Sequence, residues 1–166
     1  MASDLVIGAA IRGDLGWRGD TLHSTELGPD HYSRGQSTRE KTMSVGDARD
    51  KFETYLAAYD GTNDWSAIGP LFDAVFHPDV VIVTADGELD KAQWAEMARN
   101  LVGKGATASG FEVTGEEADS FYYTVTINVD DEPMHMTAKG TVRDGQLALV
   151  EPIDPSIYST MVDRAK

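Results

Sequence analysis

Apolar positions between residues 43 and 166 follow two periods in turn. Phe52, Tyr55, Leu56 and Tyr59 recur at i, i+3, i+4 and i+7, which predicts a helix with one buried face, opening at Ser44 and Asp47 and stopped by Gly61. Asp64 is placed to cap a second helix with Trp65, Ile68, Leu71 and Phe72 inward. Gly69-Pro70 interrupts it toward two short turns. His77-Pro78-Asp79 reads as a loop, Val80 to Thr84 as a short β-branched strand, and Asp86-Gly87 as a turn. Asp90 and Gln93 have the spacing of a capping box, and Trp94, Met97, Ala98 and Leu101 form the inner face of the third helix behind it. Gly103 and Gly105 close that helix.

Beyond Gly105 the period becomes two. Strands are predicted over Phe111 to Thr114, Phe121 to Val129, Met134 to Arg143 and Gln146 to Val150. Asp130-Asp131-Glu132-Pro133 ends the second of these, and Asp144-Gly145 makes a tight hairpin turn. Asp154 caps a last short helix with Pro155 at its first position. Three helices with one early strand pair, then a four-strand antiparallel meander, make an α+β fold.

Residues 1–42 show neither period. They hold six glycines, about twice the average usage, and too little patterned apolar surface to offset the entropy of ordering. A flexible leader is expected over 1–42 and a folded domain over 43–166, with Met43 a second possible start. Within the leader, Arg12-Gly13-Asp14 and Arg18-Gly19-Asp20 repeat one tripeptide. The cell-adhesion reading of it is weaker than a chance repeat in a glycine-rich stretch.

Composition narrows the function classes. The chain carries 28 acids against 14 bases, a formal net charge of -14, and residues 43–166 account for -13 of it. Such a surface repels phosphate backbones and anionic membranes, so no nucleic-acid or membrane partner is expected. There is no cysteine, which removes disulfides and thiolate chemistry. The apolar stretch Leu5 to Ile11 has seven residues and no basic residue before it, too short for export or for spanning a membrane. A soluble, cytoplasmic protein is the default expectation. No metal constellation is visible, because His23 and His31 lie in the leader and His77 and His135 lack a ligand spacing. No glycine loop for phosphates is present, so no cofactor is expected.

The segments FETYLAAYDGTNDWSAIGPLF, HPDVVIVTADGELDKAQWAEM, FYYTVTINV and KGTVRDGQLALVEP, in that order, resemble the nuclear-transport-factor-2-like superfamily and within it the SnoaL-like proteins. The resemblance runs from about Met43 to Val150. It implies a cone-shaped curved antiparallel sheet wrapped around about three helices, a cavity between sheet and helices, and homodimers through the outer sheet face. The superfamily holds isomerases, dehydratases, epoxide hydrolases, polyketide cyclases and non-enzymatic modules, so fold alone does not choose a function.

Ketosteroid isomerase, one such relative, needs a tyrosine and two carboxyls in its cavity. Tyr55 falls at the tyrosine, but Thr84 and either Ala138 or Gly140 fall at the carboxyls, and none of these abstracts a proton as a carboxylate does. The Asp-Arg-Asp arrangement of epoxide hydrolases has no match, and the histidine pairing of dehydratase-like sites has no clear counterpart in His77 and His135.

Alternation puts Tyr123, Val125, Ile127 and Val129 on one strand face and Met134, Met136, Ala138, Gly140 and Val142 on one face of the next. With these rows inward, Tyr123 and Met136 line an apolar cavity whose polar handles are Tyr55, Tyr59, Thr84 and Glu151. His77 and His135 are weaker acid–base candidates, one before a proline in a loop and the other on the outward parity of its strand. Each candidate has a plain structural alternative: a core tyrosine, a loop histidine, an exposed strand end. The outer faces carry Thr124, Thr126, Thr137 and Thr141, which suit a wet sheet surface or a dimer interface.

Three functions stay open. One is a cavity protein acting without a cofactor, as a lyase, isomerase or cyclase, on a small apolar substrate. Another is a non-catalytic carrier using the same cavity. The third is a dimerisation module whose cavity is filled by its own side chains. Whether the protein is an enzyme is undecided by the residues.

Overall fold

A computed structural model of the protein describes residues 36–59 and 63–166, with side chains from Val45 onward. The glycine-rich stretch before residue 36, its repeated tripeptide, His23, His31 and Gly61 lie outside the described residues. Contacts divide the chain into Met1–Asp30 and His31–Lys166, and only the second unit is described below.

The first helix, α1 (Gln36–Ala57), begins eight residues before the expected Ser44. It buries Val45, Ala48, Phe52, Tyr55 and Leu56, and Tyr59 just beyond its end is buried as well. Helix α2 (Trp65–Val75) is capped by the Asp64 carboxylate, which accepts the Ser66 N–H at 2.9 Å. It runs through Pro70 unbroken, against the expected two turns. The proline removes one hydrogen bond, and the burial of Ile68, Phe72 and Val75 outweighs that loss.

Strand β1 (Phe76–Thr84) starts where the sequence suggested a loop. It turns at Asp86-Gly87 into β2 (Gly87–Leu89), the pair being antiparallel. Helix α3 (Lys91–Gly103) has the expected capping box: Asp90 accepts the Gln93 N–H and the Gln93 side chain accepts the Asp90 N–H. Strands β3 (Thr107–Glu116), β4 (Ser120–Val129), β5 (Glu132–Arg143) and β6 (Gln146–Pro152) follow, then α4 (Pro155–Ala165), capped by Asp154. The turns after β4 and β5 hold Asp130 and Asp131, and Asp144 and Gly145, at positive φ, the geometry that matches strand twist in two-residue hairpins.

The six strands form one sheet in the order β2-β1-β6-β5-β4-β3. The expected all-antiparallel sheet is corrected in one respect: β1 pairs parallel to β6, so the sheet is mixed. Register shifts interrupt the β1–β6, β3–β4 and β5–β6 pairings, and such bulges bend strands. Gly110, at φ +64, supplies the left-handed residue at the β3 shift between Ser109 and Glu112.

All four helices pack against this sheet. Phe121, Tyr123, Val125, Ile127 and Val129 on β4 and Met134, Met136, Ala138 and Val142 on β5 are buried, while Tyr122, Thr124, Thr126 and Asn128 on β4 and His135, Thr137, Lys139 and Thr141 on β5 are not. Phe52 lies at the middle of the core, its ring within 6.5 Å of the rings of Tyr55, Phe76, Phe111, Phe121 and Tyr123. The architecture is α+β and cone-like. No described helix is long and apolar enough to cross a membrane.

Candidate functional site

Where the helices meet the buried sheet face they leave a hollow of about 40 Å³. Its wall comes from α1 (Phe52, Tyr55, Leu56), the residue after it (Tyr59), α3 (Trp94, Met97, Ala98, Leu101), the sheet (Phe76, Tyr123, Ile127, Met136, Val150) and α4 (Tyr158, Met161). Pockets that take drug-sized ligands run to roughly 300–1,000 Å³. The aromatic rings therefore fill most of the cone, and what is left fits only a small group.

Polar atoms at this wall belong to four tyrosines and one tryptophan. The Tyr55 and Tyr59 hydroxyls lie 2.7 Å apart, and those of Tyr123 and Tyr158 are also hydrogen-bonded to each other. Burial holds all four phenols above their ordinary pKa, Tyr59 and Tyr158 to about 12, and Tyr55 and Tyr123 well above the ordinary value. They are neutral hydroxyls at physiological pH. Each pair shares one hydrogen bond but carries two protons, so one O–H per pair is left over as a donor.

Trp94 is 7% exposed and edge-on to Tyr158, with centroids 5.3 Å apart. Its indole Nε1 is buried without an acceptor among the described residues. An indole N–H only donates, and buried polar groups are nearly always paired, so this orphan calls for an acceptor. Among the described residues no carboxylate, imidazole or ammonium lines the hollow. The described wall is small, apolar and furnished with phenol and indole groups.

Of the residues singled out from the sequence, Tyr55, Tyr59, Tyr123 and Met136 are on this wall. Thr84 is not. It is buried at the end of β1, where its Oγ1 donates to the Gly87 carbonyl at 2.8 Å and accepts the Asp86 N–H at 3.3 Å, closing the β1–β2 turn. Glu151 is a second correction: it follows buried Val150 on β6 and is exposed, as strand parity requires. The histidines are also elsewhere. His77 Nδ1 accepts the Asp79 N–H at 3.1 Å and lies 2.8 Å from an Arg143 nitrogen, while its Nε2 is 3.7 Å from an Asp144 carboxylate oxygen. His135 is exposed on the outer sheet face, 2.9 Å from the Thr126 hydroxyl. Among the described residues no group of three or more His, Asp or Glu is arranged to hold a metal ion.

Two wall residues that carry a polar atom escaped the sequence reading as site candidates. Trp94 was legible as core, but nothing local shows whether its N–H finds a partner. Tyr158 was signalled by its spacing with Met161 and Ala165, the buried stripe of α4.

No family model and no curated protein matches this sequence. Solved structures do. A de novo designed protein with a curved β-sheet matches at 14% identity and TM-score 0.50, over 72% of this chain and 94% of its own. An LEH-like epoxide hydrolase from M. tuberculosis matches at 14% identity and TM-score 0.49, over 73% and 92%. An NTF2-like protein of unknown function from Cytophaga hutchinsonii matches at 9% identity and TM-score 0.49, over 63% and 87%. At such identities the likeness is one of fold: the chain shares the α+β architecture of the designed protein with a curved β-sheet.

Proposed function

We propose that the protein binds a small, neutral, apolar molecule carrying a hydrogen-bond acceptor, and that it does so as a carrier rather than as an acid–base catalyst. The observation that carries this reading is the buried Trp94 N–H, without an acceptor among the described residues, on a side chain that lines an otherwise apolar hollow. A carbonyl or ether oxygen supplies the missing acceptor, and the leftover tyrosine protons can add to it. A lyase or isomerase also needs a group that removes a proton, and the four phenols are held in the protonated form by burial.

The test is a titration with dimethyl ether and, as its control, propane, following the Trp94 indole N–H in a ¹H–¹⁵N spectrum. Dimethyl ether is expected to move that resonance downfield in a saturable way, and Trp94→Phe to abolish the binding. Ligand efficiency caps such a fragment at weak affinity, so saturation belongs in the millimolar range. Equal response to ether and hydrocarbon, or none to either, refutes the reading.

A second reading concerns assembly. Thr124, Thr126 and Thr141 are half-buried on the outer sheet face, and Thr137 is exposed there. A homodimer through this face is compatible with carrier function, and light scattering at micromolar concentration distinguishes dimer from monomer. Repulsion between two domains of charge -13 opposes it.

A further inference from the structure

Helix α3 presents two adjoining stripes. Trp94, Met97, Ala98 and Leu101 face the hollow, and Gln93, Glu96, Met97 and Asn100 line a groove on the other side. Both sets have i, i+3, i+4, i+7 spacing, and Met97 alone belongs to both. The groove measures about 270 Å³, and Leu89 from β2 together with Val162, Ala165 and Lys166 at the end of α4 complete it. The buried Met97 is thus common to the walls of a 40 Å³ hollow and a 270 Å³ groove. Methionine is unbranched with three rotatable side-chain bonds, so it can swing without moving the backbone. With it aside, the joined space comes to the lower end of the roughly 300–1,000 Å³ range of ligand pockets.

The two halves differ in chemistry. The hollow is aromatic, and its polar groups are four phenols and one indole N–H. The groove mixes apolar Leu89 and Val162 with the amides of Gln93 and Asn100, and its two charges, Glu96 and Lys166, are of opposite sign. The Gln93 Oε1 is taken by the Asp90 N–H at 3.0 Å, which leaves its NH₂ as the donor end. Such a groove suits a neutral polar end, not an ion.

Resting on the binding reading above, we propose that hollow and groove are one site partitioned by the Met97 side chain. Its ligand is an elongated neutral amphiphile, with a compact carbonyl-bearing apolar end against Trp94 and a hydroxyl- or amide-bearing end between Gln93 and Asn100. Met97 then sets the rate of passage between the two.

The test uses 6-hydroxyhexan-2-one, which can span both halves, with dimethyl ether as a probe of the hollow alone. In the unmodified protein the Trp94 indole N–H and the Asn100 side-chain amide should respond to the hydroxyketone with a single dissociation constant. Met97→Ala should speed its exchange at least about threefold, since affinity and access changes appear mainly in off-rates. Met97→Leu, which conserves volume and is expected to fold, should slow exchange because branching restricts the partition. If Trp94 responds to dimethyl ether but Asn100 never responds to the hydroxyketone, or if neither variant changes exchange, the gate is refuted while the hollow stands. If Trp94 responds to neither probe, both readings fall.

Discussion

The hydroxyls of Tyr55 and Tyr59 lie 2.7 Å apart, one helical turn from each other, with both side chains buried. Their rings meet edge to face at 85°, with centroids 5.3 Å apart. The pair solves a problem that the fold creates: a phenol brought into an apolar core needs a partner, and here the sequence supplies it four residues on.

Tyr55→Phe removes that partner and leaves the Tyr59 hydroxyl buried without it. The expected cost is about 1–3 kcal/mol of unfolding free energy. Tyr55→Phe/Tyr59→Phe together should cost less than the two single changes added, because no orphan remains. Urea unfolding of the four-member cycle measures this, and strict additivity would show that the two hydroxyls do not depend on each other.

Alkaline stability follows from the same burial. Tyr59 and Tyr158 have folded pKa values raised to about 12 from an unfolded value of 10, and Tyr55 and Tyr123 lie well above that unfolded value. A raised folded pKa gives stability that is complete below the unfolded value and is lost as pH rises through the folded one. Melting temperature should therefore fall from about pH 10 upward, and more steeply than in the Tyr55→Phe/Tyr59→Phe variant. Tyrosinate absorbance should show these four phenols ionising together with unfolding rather than before it. A smooth titration of every tyrosine in the intact fold would contradict this account.

Gly140 faces inward on β5, where an added Cβ would stand 2.6 Å from Leu147 Cδ2 and near the rings of Phe121 and Tyr123. Leu147 is itself fully buried, so it has little room to yield. Gly140→Ala is expected to destabilise by about 1–3 kcal/mol, seen as a lower urea midpoint. An unchanged midpoint would mean that Leu147 repacks freely. The same crowding argues against building a carboxyl at this position to restore isomerase-like chemistry.

Removing residues 1–42 takes away the first part of α1 but none of the buried side chains described. A chain starting at Met43 should melt cooperatively within a few degrees of the full chain by circular dichroism. An insoluble or molten product would show that the leader contributes to the fold.

What could be read from the sequence was whatever is decided within a turn or two of chain. The Asp90–Gln93 capping box, the Asp154-Pro155 start and the Asp144-Gly145 turn are local chemistry, and the alternation on β4 and β5 is a local period. β1 was cut short because His77-Pro78-Asp79 carries loop residues, and the strand begins ahead of them at Phe76, whose partner Leu147 on β6 lies some 70 residues later. Glu151 was expected as a cavity handle but stands exposed beside buried Val150, and Thr84 is buried yet spends its hydroxyl on its own turn. The orphaned Trp94 N–H had no signal at all, since satisfaction of a donor is a property of its surroundings in space.

The place of β6 in the sheet bears on how the protein is made. It sits between β1 and β5, yet it is the last strand to be synthesised. A ribosome that has released everything up to Arg143 has made a β1–β2 hairpin and a β3–β4–β5 meander with nothing between them. Both carry an open edge, the kind of surface on which nascent chains aggregate. The seven residues Gln146–Pro152 join the two pieces, so a chain truncated ahead of Gln146 yields two half-sheets rather than a slightly smaller domain.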